Sequence, residues 1–449
     1  MSVMPDKLQL NKLTIWSIAI PIFIEFVLTF SVFFTDTIFL SKISDLAAAS
    51  VGAVIPVFMV FVLFFMMMAQ GSGSVAAQYL GGQQYEKAID SYMTGVAINI
   101  LFGVLGTAML MLIACYLGNF IGMSNDSIEI VDKYLMVVSP AIFLIAIKAS
   151  YNAVLFSQGK TLWNMITAII VNLSNILFNM LFIIGFFGLS KLGIIGVALS
   201  TVISQILAVL FLIYMVHYKL KIHFKISQFR ERTSKIYTSI LAIGVPASIE
   251  PISSELGMFI ISIFAIHISI DAMAARTYLM NLLTLVICWS AALAVANQVL
   301  VAHRVGAKNF EDADYQLRSN IIKATLGSFL IMAVLYVFSR NLIGIFTTNI
   351  AILSMCSTVL ALGFIIEPAR TISTMSGYAL RGSGDAKFPT VMAIVSTWLV
   401  AIPLAYFIGF KLGYGFIGVW CGILIDEVLR AIVNLRRWFK KKWQLTGVI

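Results

Sequence analysis

Apolar residues run through this chain in long blocks, and most of the charge is held in the short connections between them. Twelve such blocks have approximate cores at 14–39, 47–78, 90–117, 131–155, 162–185, 193–216, 237–265, 272–301, 319–338, 350–378, 388–410 and 416–436. Each reaches or exceeds the roughly 20 residues that an α-helix needs to cross a hydrocarbon core, and the longest require tilt or bending. A membrane β-barrel would instead show short alternating segments separated by turns. The pattern therefore predicts an all-α polytopic membrane protein with twelve transmembrane helices. One connection, from about His217 to Thr238, is long and polar. It divides the chain into an expected N-terminal lobe (1–216), a cytoplasmic linker (217–236) and a C-terminal lobe (237–449), with six spans on each side.

The second half also reads as a copy of the first, displaced by 225 positions. Pro21 pairs with Pro246, Glu25 with Glu250, Ala47 and Ala49 with Ala272 and Ala274, and Gly159 with Gly384. GGQQYEKA at Gly81–Ala88 aligns with GAKNFEDA at Gly306–Ala313 without a gap. Further on the offset becomes 222, where Leu192–Val197 faces Tyr414–Val419. Two similar membrane halves are a transporter architecture. Because each half holds an even number of spans, the halves enter the membrane in the same orientation. A parallel repeat about an axis along the membrane normal follows, with the cleft between the lobes as the expected path.

Composition adds orientation and exclusions. Of 449 residues, 60% are hydrophobic and 11% charged, against about 25% charged in a soluble domain. The net charge of +10 does not point to nucleic acid, since the basic residues sit in short connections and in the C-terminal stretch Arg436–Trp443. With the N-terminus in the cytoplasm, Lys7, Lys12, Lys87, Lys160, the linker residues Lys219, Lys221, Lys225, Arg230, Arg232 and Lys235, and then Arg304, Lys308, Arg318, Arg381 and Lys387 fall inside. Lys42, Lys133, Lys191, Arg340 and Lys411 fall outside. This bias places both termini in the cytoplasm. No small-residue cleavage site follows the first apolar run, which reads as a retained helix rather than a signal peptide. The four cysteines (Cys115, Cys288, Cys356, Cys421) lie in apolar spans without metal-site spacing and read as free thiols. No phosphate-binding GxxxxGK[ST] loop, HExxH pair, GxSxG elbow or TVGYG filter is present. ATP-driven transport by this chain alone, intramembrane hydrolysis and a potassium-channel role find no support. The chain is expected not to be an enzyme and to need no cofactor.

A carboxylate at the centre of a membrane helix costs about 2.5–3.5 kcal/mol on insertion scales, so each one asks for a reason. Glu25 and Asp36 share the first span at a spacing of eleven, which puts them within roughly 20° of one face and about 16 Å apart along the axis. Neither has a basic residue within a helical turn, and the threonines flanking Asp36 are candidate hydrogen-bond donors to it. Such an acid can trade a proton with a cation. Asn172, Asn175 and Asn179 interrupt the apolar fifth span, with the last two on one face. Asn152 in the fourth span and Ser200, Thr201, Ser204 and Gln205 in the sixth extend the polar set. Singly these read as interhelical hydrogen bonds worth about 0.6 kcal/mol; with Asp36 they read as a polar pocket in the first lobe. Glu25 and Glu250 recur in both halves, which fits a cleft-lining role and equally a structural one. Lys148 is expected to snorkel to a surface, and Arg276 faces either the cleft or the headgroups. Glu367 and Arg370, one turn apart, fit an internal salt bridge as well as a substrate contact. Asp426, Glu427 and Arg430 read as an ion pair at the cytoplasmic end of the last span. Prolines 21, 56, 140, 246, 251, 368 and 403 are expected to bend helices.

Several stretches together resemble the multidrug and toxic compound extrusion (MATE) transporters over essentially the whole chain. They are FTDTIFLSKIS (Phe34–Ser44), MAQGSGSVAAQYLGG (Met68–Gly82), GVPASIE (Gly244–Glu250), ANQVLVAHRVGAKNFEDA (Ala296–Ala313) and EPARTISTMSGYALRGSGDAKFP (Glu367–Pro389). The resemblance implies a monomeric secondary antiporter, in a bacterial cytoplasmic (inner) membrane, with two six-helix lobes around a V-shaped cleft. It would expel organic cations or other amphipathic small molecules against inward H⁺ or Na⁺. The family's first-span acid maps onto Asp36, its fourth- and fifth-span asparagines onto Asn152 and Asn175, and its sixth-span threonine onto Thr201. Many members carry a second acid where this chain has Asn179. That departs from a two-acid cation site, and leaves Na⁺ at the Asp36 pocket as the only metal ion to consider. In the sodium-associated branch a seventh-span acid has Glu255 or Glu250 as its counterpart here. The family's tenth-span acid falls nearer Arg370 than Glu367.

Two other classes compete. A flippase for lipids or lipid-linked oligosaccharides, built from a related repeat, would usually carry fourteen spans and a more basic cavity. A receptor or scaffold would have no use for the first-lobe polar cluster. The 21 methionines and 33 phenylalanines offer an adaptable apolar wall for varied cargo, though lipid-facing filler accounts for most of them.

Overall fold

The computed structural model describes residues 14–185, 192–224 and 233–447. Lys7, Lys12, Lys191, Lys225, Arg230 and Arg232, used above for orientation, lie outside these ranges, as does the side chain of Cys115. Among the described residues every regular element is helical. In chain order they are α1 (Ile15–Ser41), α2 (Asp45–Gly81), α3 (Tyr85–Ile121), α4 (Asn125–Val138), α5 (Pro140–Ser157), α6 (Leu162–Asn179), α7 (Ile194–Ile213) and α8 (Thr233–Ile268). Then follow α9 (Ile270–Gly306), α10 (Phe310–Val337), α11 (Ser339–Gly344), α12 (Ile350–Gly382), α13 (Lys387–Ser396), α14 (Ile402–Tyr406) and α15 (Gly415–Phe439).

Eleven helical segments among the described residues are long and apolar enough to cross a membrane. The twelfth expected span, 416–436, is helical within α15 but carries Asp426, Glu427 and Arg430 in its middle. The fourth expected span divides into α4 and α5 at Ser139, because Pro140 has no N–H to continue the ladder and sits instead in the first turn of α5. The other predicted bends differ in kind. Pro21, Pro56 and Pro368 lie inside unbroken helices, as do Pro246 and Pro251. Ahead of Pro403 the backbone instead widens into a π turn at Thr397–Ala401.

Several helices outrun their apolar cores, because a charged end continues as helix where a cap supports it. α10 starts nine residues before its apolar core at 319, with Asn309 accepting from the Asp312 N–H at 3.2 Å and acids in the first turn. The repeat is visible in the backbone as well. Gln83 and Lys308, 225 apart, both have φ of 58°, and Gly159 and Gly384 both take positive φ.

The chain forms two compact units. The first holds the described residues up to Ala76 together with Tyr85–Gly244. The second holds Ala77–Gln84 and the chain from Val245 onward. In the first unit α1 packs on α6, α6 on α7, and α3 on α5. Its core includes Val51, Leu110, Val131, Ile142 and Val197. In the second unit α9 and α15 both pack on α12, around Ile261, Leu279, Cys356, Leu360 and Ile423. Outward-facing Leu101, Leu112, Leu326 and Val337 are exposed, as lipid-facing side chains are. Cys288 and Cys356 are buried free thiols, and Cys421 is free and half-buried.

One contact in the second unit explains the most specific paired motif. The end of α2 meets the end of α9 so closely that a Cβ on Gly81 would lie 1.9 Å from the His303 carbonyl oxygen. A Cβ on Gly306 would lie 1.9 Å from the carbonyl oxygen of Gln78. Gln78 and His303 are themselves 225 apart, so the contact is reciprocal. The obstacle is backbone, which no rotamer change can move. Gly306→Ala and Gly81→Ala should each cost about 2 kcal/mol or more and lower the thermal unfolding midpoint in detergent. Gly52→Ala, with open space at its Cβ, should leave the midpoint unchanged or raise it. An unchanged midpoint for both Gly81→Ala and Gly306→Ala would show that the close approach is not a structural requirement.

Candidate functional site

Helical spacing assembles one polar pocket in the first unit. Asp36, on the second turn from the end of α1, is only 6% exposed. Asn175 and Asn179 lie one turn apart on α6, and both side-chain amides donate to Asp36 Oδ1, at 3.0 and 2.8 Å. The Asn179 amide also donates to Asn175 Oδ1 at 3.1 Å, fixing the two asparagines relative to one another. From α7, the Thr201 hydroxyl donates to Asp36 Oδ2 at 3.1 Å. Three neutral donors from two helices thus converge on one buried carboxylate. No ion pair reaches Asp36 among the described residues.

The remaining expected members divide. Asn172 bonds to the Leu28 and Ala168 carbonyls and accepts from Ser31, so it ties α6 to α1. Ser200 and Ser204 bond to carbonyls of their own helix. Gln205 lines the cavity beside Asp36, and its Oε1 lacks a partner. The threonine next to Asp36 does not serve it: the Thr37 hydroxyl donates to the Phe33 carbonyl at 2.8 Å, the local bond a helix offers every threonine.

Asn152 is not in the Asp36 shell. Its amide donates to Glu25 Oε1 at 3.0 Å, so this site forms around the other acid of α1. Lys148 also departs from expectation. It does not snorkel to a surface, but lines two adjoining cavities of about 60 and 50 Å³ together with Glu25 and Asn152. It sits one turn before Asn152 on α5, on the face that turns toward Glu25. The first cavity reaches from Glu25 to Asp36 and also touches Tyr134. Each cavity has room for on the order of four waters.

The second unit treats its charges differently. Glu250, the repeat partner of Glu25, forms a salt bridge with Arg381. Arg381, which follows the expected 350–378 span, is 2% exposed and lies in the last turn of α12. Its charge satisfies a carboxylate far away in sequence. Glu367 is fully buried. Arg370 binds it at 2.6 Å and binds Glu427 of α15 at 2.9 Å. Asp426 pairs with Arg430 one turn further on. Asp426 and Arg430 thus form the expected ion pair within α15, while Glu427 joins α15 to α12 through Arg370. Glu255 is exposed, and its charge interacts with Arg276, which also donates to the Met258 carbonyl at 3.0 Å. Among the described residues no group of three or more His, Cys, Asp or Glu side chains has the arrangement of a metal site.

Removing one member of a buried ion pair strands the other, at about 3–5 kcal/mol. Arg370→Met strands both Glu367 and Glu427. It should lower the thermal midpoint in detergent more than Glu427→Gln, which removes a charge and leaves Arg370 its bond to Glu367. Equal effects would mean that Arg370 does not join the two acids.

The MatE family model matches this chain twice, over residues 21–181 and 246–407. The two matches begin 225 residues apart, the same displacement as the internal repeat. An uncharacterized transporter of Bacillus subtilis (strain 168), YisQ, is 30% identical over 97% of this chain and 96% of its own length. A probable multidrug resistance protein, NorM, of Thermotoga maritima is 25% identical over 96% of this chain and 93% of its own length. A crystal structure of MATE in the bent conformation, 21% identical, superposes with a TM-score of 0.90 over 98% of each chain. That superposition carries the twelve-helix, two-lobe fold. With the family model on both halves and a relative matched nearly end to end, this chain belongs to the MatE family of membrane transporters.

Proposed function

We propose that this transporter is a secondary antiporter that exports amphipathic or cationic small molecules in exchange for H⁺ or Na⁺, with Asp36 as the coupling acid. The observation that carries the proposal is a buried carboxylate held by three neutral donors. Neutral donors orient Asp36 without cancelling its charge, so an incoming cation is what neutralises it. Either ion fits this donor set. A proton needs only the carboxylate. Sodium needs oxygens, and Asp36, Thr201 and the amide oxygens of Asn175 and Asn179 provide them once the amides rotate.

Neutralising Asp36 removes the acceptor that draws the Asn175, Asn179 and Thr201 donors to α1. The three helices can then repack, which is the coupling an exchanger requires. One charge moving through 100 mV releases about 2.3 kcal/mol, enough for a gradient of roughly fifty-fold in a neutral cargo. In this reading both termini face the cytoplasm of a bacterial cell, the protein works as a monomer in the inner membrane, and the two lobes alternate access to a cleft. The resistance role named for the relative from Thermotoga maritima supports a drug-like cargo.

In everted vesicles, Asp36→Asn should abolish efflux driven by an imposed H⁺ or Na⁺ gradient, while wild type responds to one of the two. Asn179→Ala removes one bond to a charged group, worth about 1.5–3 kcal/mol, and should weaken the response to the driving ion about ten-fold or more. Asp36→Asn vesicles that retain both H⁺- and Na⁺-driven efflux would overturn the assignment.

A further inference from the structure

Glu25, Lys148 and Asn152 form a second polar station in the first unit, apart from the donors around Asp36. Three observations define it. Glu25 is 8% exposed, and its Oε2 has no hydrogen-bond partner. Lys148 interacts with Glu25 through its charge, yet among the described residues it makes neither a hydrogen bond nor a close ion pair. Both residues line the same two cavities, whose walls otherwise include Phe26, Val62, Met66 and Phe156. The pair is therefore open: two oppositely charged residues line a shared chamber without closing on each other, and one carboxylate oxygen of Glu25 is buried without a partner.

An open pair of opposite charges matches a ligand head that itself carries both signs. A purely cationic head would meet Glu25 but be repelled by Lys148. A purely anionic head would meet Lys148 but be repelled by Glu25. A zwitterionic head places its ammonium on Glu25 and its carboxylate on Lys148, and satisfies both side chains at once. The apolar wall then takes the body of the molecule.

We infer that Glu25 and Lys148 form the cargo-head subsite, and that it selects amphipathic zwitterions bearing an amine and a carboxylate over their purely cationic counterparts. The inference rests on the transporter reading for its biological use, but binding to the resting protein needs neither an ion gradient nor Asp36 coupling.

The test uses full-length protein in detergent and two probes: a fluorescent aromatic amino acid derivative and its methyl ester, which keeps the amine and loses the carboxylate charge. Wild type should bind the zwitterion more tightly than the ester. Lys148→Met should weaken zwitterion binding about ten-fold or more, the size of one charge-assisted bond, and leave ester binding unchanged or tighter. Lys148→Arg should restore the preference, which a merely structural lysine would not do. Glu25→Gln should weaken both probes. A Lys148→Met protein that elutes as wild type does but loses both probes equally, or neither, overturns the subsite. Failure of the coupling proposal reads differently, as gradient-driven efflux that survives Asp36→Asn while the probe preference of Lys148 stands.

Discussion

Within a bundle surrounded by hydrocarbon, a polar or ionisable side chain without a partner is costly, so each one must be given a partner from within the protein. The two units of this transporter meet that constraint in opposite ways. The second unit balances charge with charge: Glu250 with Arg381, Glu367 and Glu427 with Arg370, Asp426 with Arg430. The first unit surrounds Asp36 with amides and a hydroxyl, which orient a carboxylate without supplying an opposite charge. A closed network of ions gains little from a further cation. A carboxylate held by dipoles alone gains a great deal, and this difference is why the proposed ion exchange is assigned to the first unit.

The internal repeat makes the comparison position by position. At the offset of 225, Asp36 stands opposite Ile261, Asn175 opposite Val400 and Asn179 opposite Leu404. At the later offset of 222, Thr201 stands opposite Ile423. All four counterparts are apolar, and Ile261 and Ile423 belong to the hydrophobic core of the second unit. In the other direction, Glu367 and Arg370 stand opposite Ile142 and Ile145, and Glu427 opposite Gln205. The same scaffold thus carries a neutral polar pocket in one copy and an ionic network in the other. Neither set could be moved alone into the other copy, because each depends on several helices being substituted together.

The helices, the repeat and the Asp36 shell were legible because they rest on local rules. Apolar runs give spans, a spacing of four puts Asn175 and Asn179 on one face, and the family resemblance aligns Thr201 with them. Three choices of partner were not legible. Arg381 lies where a helix ends, and charge counting places such a residue on one side of the membrane without revealing its partner. That partner, Glu250, is 131 positions away. Lys148 has a side chain long enough to reach a surface, and only the packing of α5 turns it inward. Asn152 matched the family position but lies nearer Glu25 along α1 than Asp36, a distinction of helix height rather than of sequence. What could not be read was the choice of partner across helices.

That limit bears on Glu25, the residue the repeat marks most plainly and explains least. Its counterpart Glu250 is neutralised by a full opposite charge in direct contact. Glu25 keeps one oxygen bonded to Asn152 and the other unpartnered, with Lys148 near but not joined to it. If symmetry preserved this acid only for structure, both copies should be closed in the same way, since an unpartnered buried carboxylate oxygen costs stability. The first copy retains that cost beside a cavity and opposite a free ammonium. Such local frustration is tolerated where a group must remain available to something that comes and goes. The open state of Glu25, against the closed state of Glu250, is what the proposed binding role accounts for and a shared structural role does not.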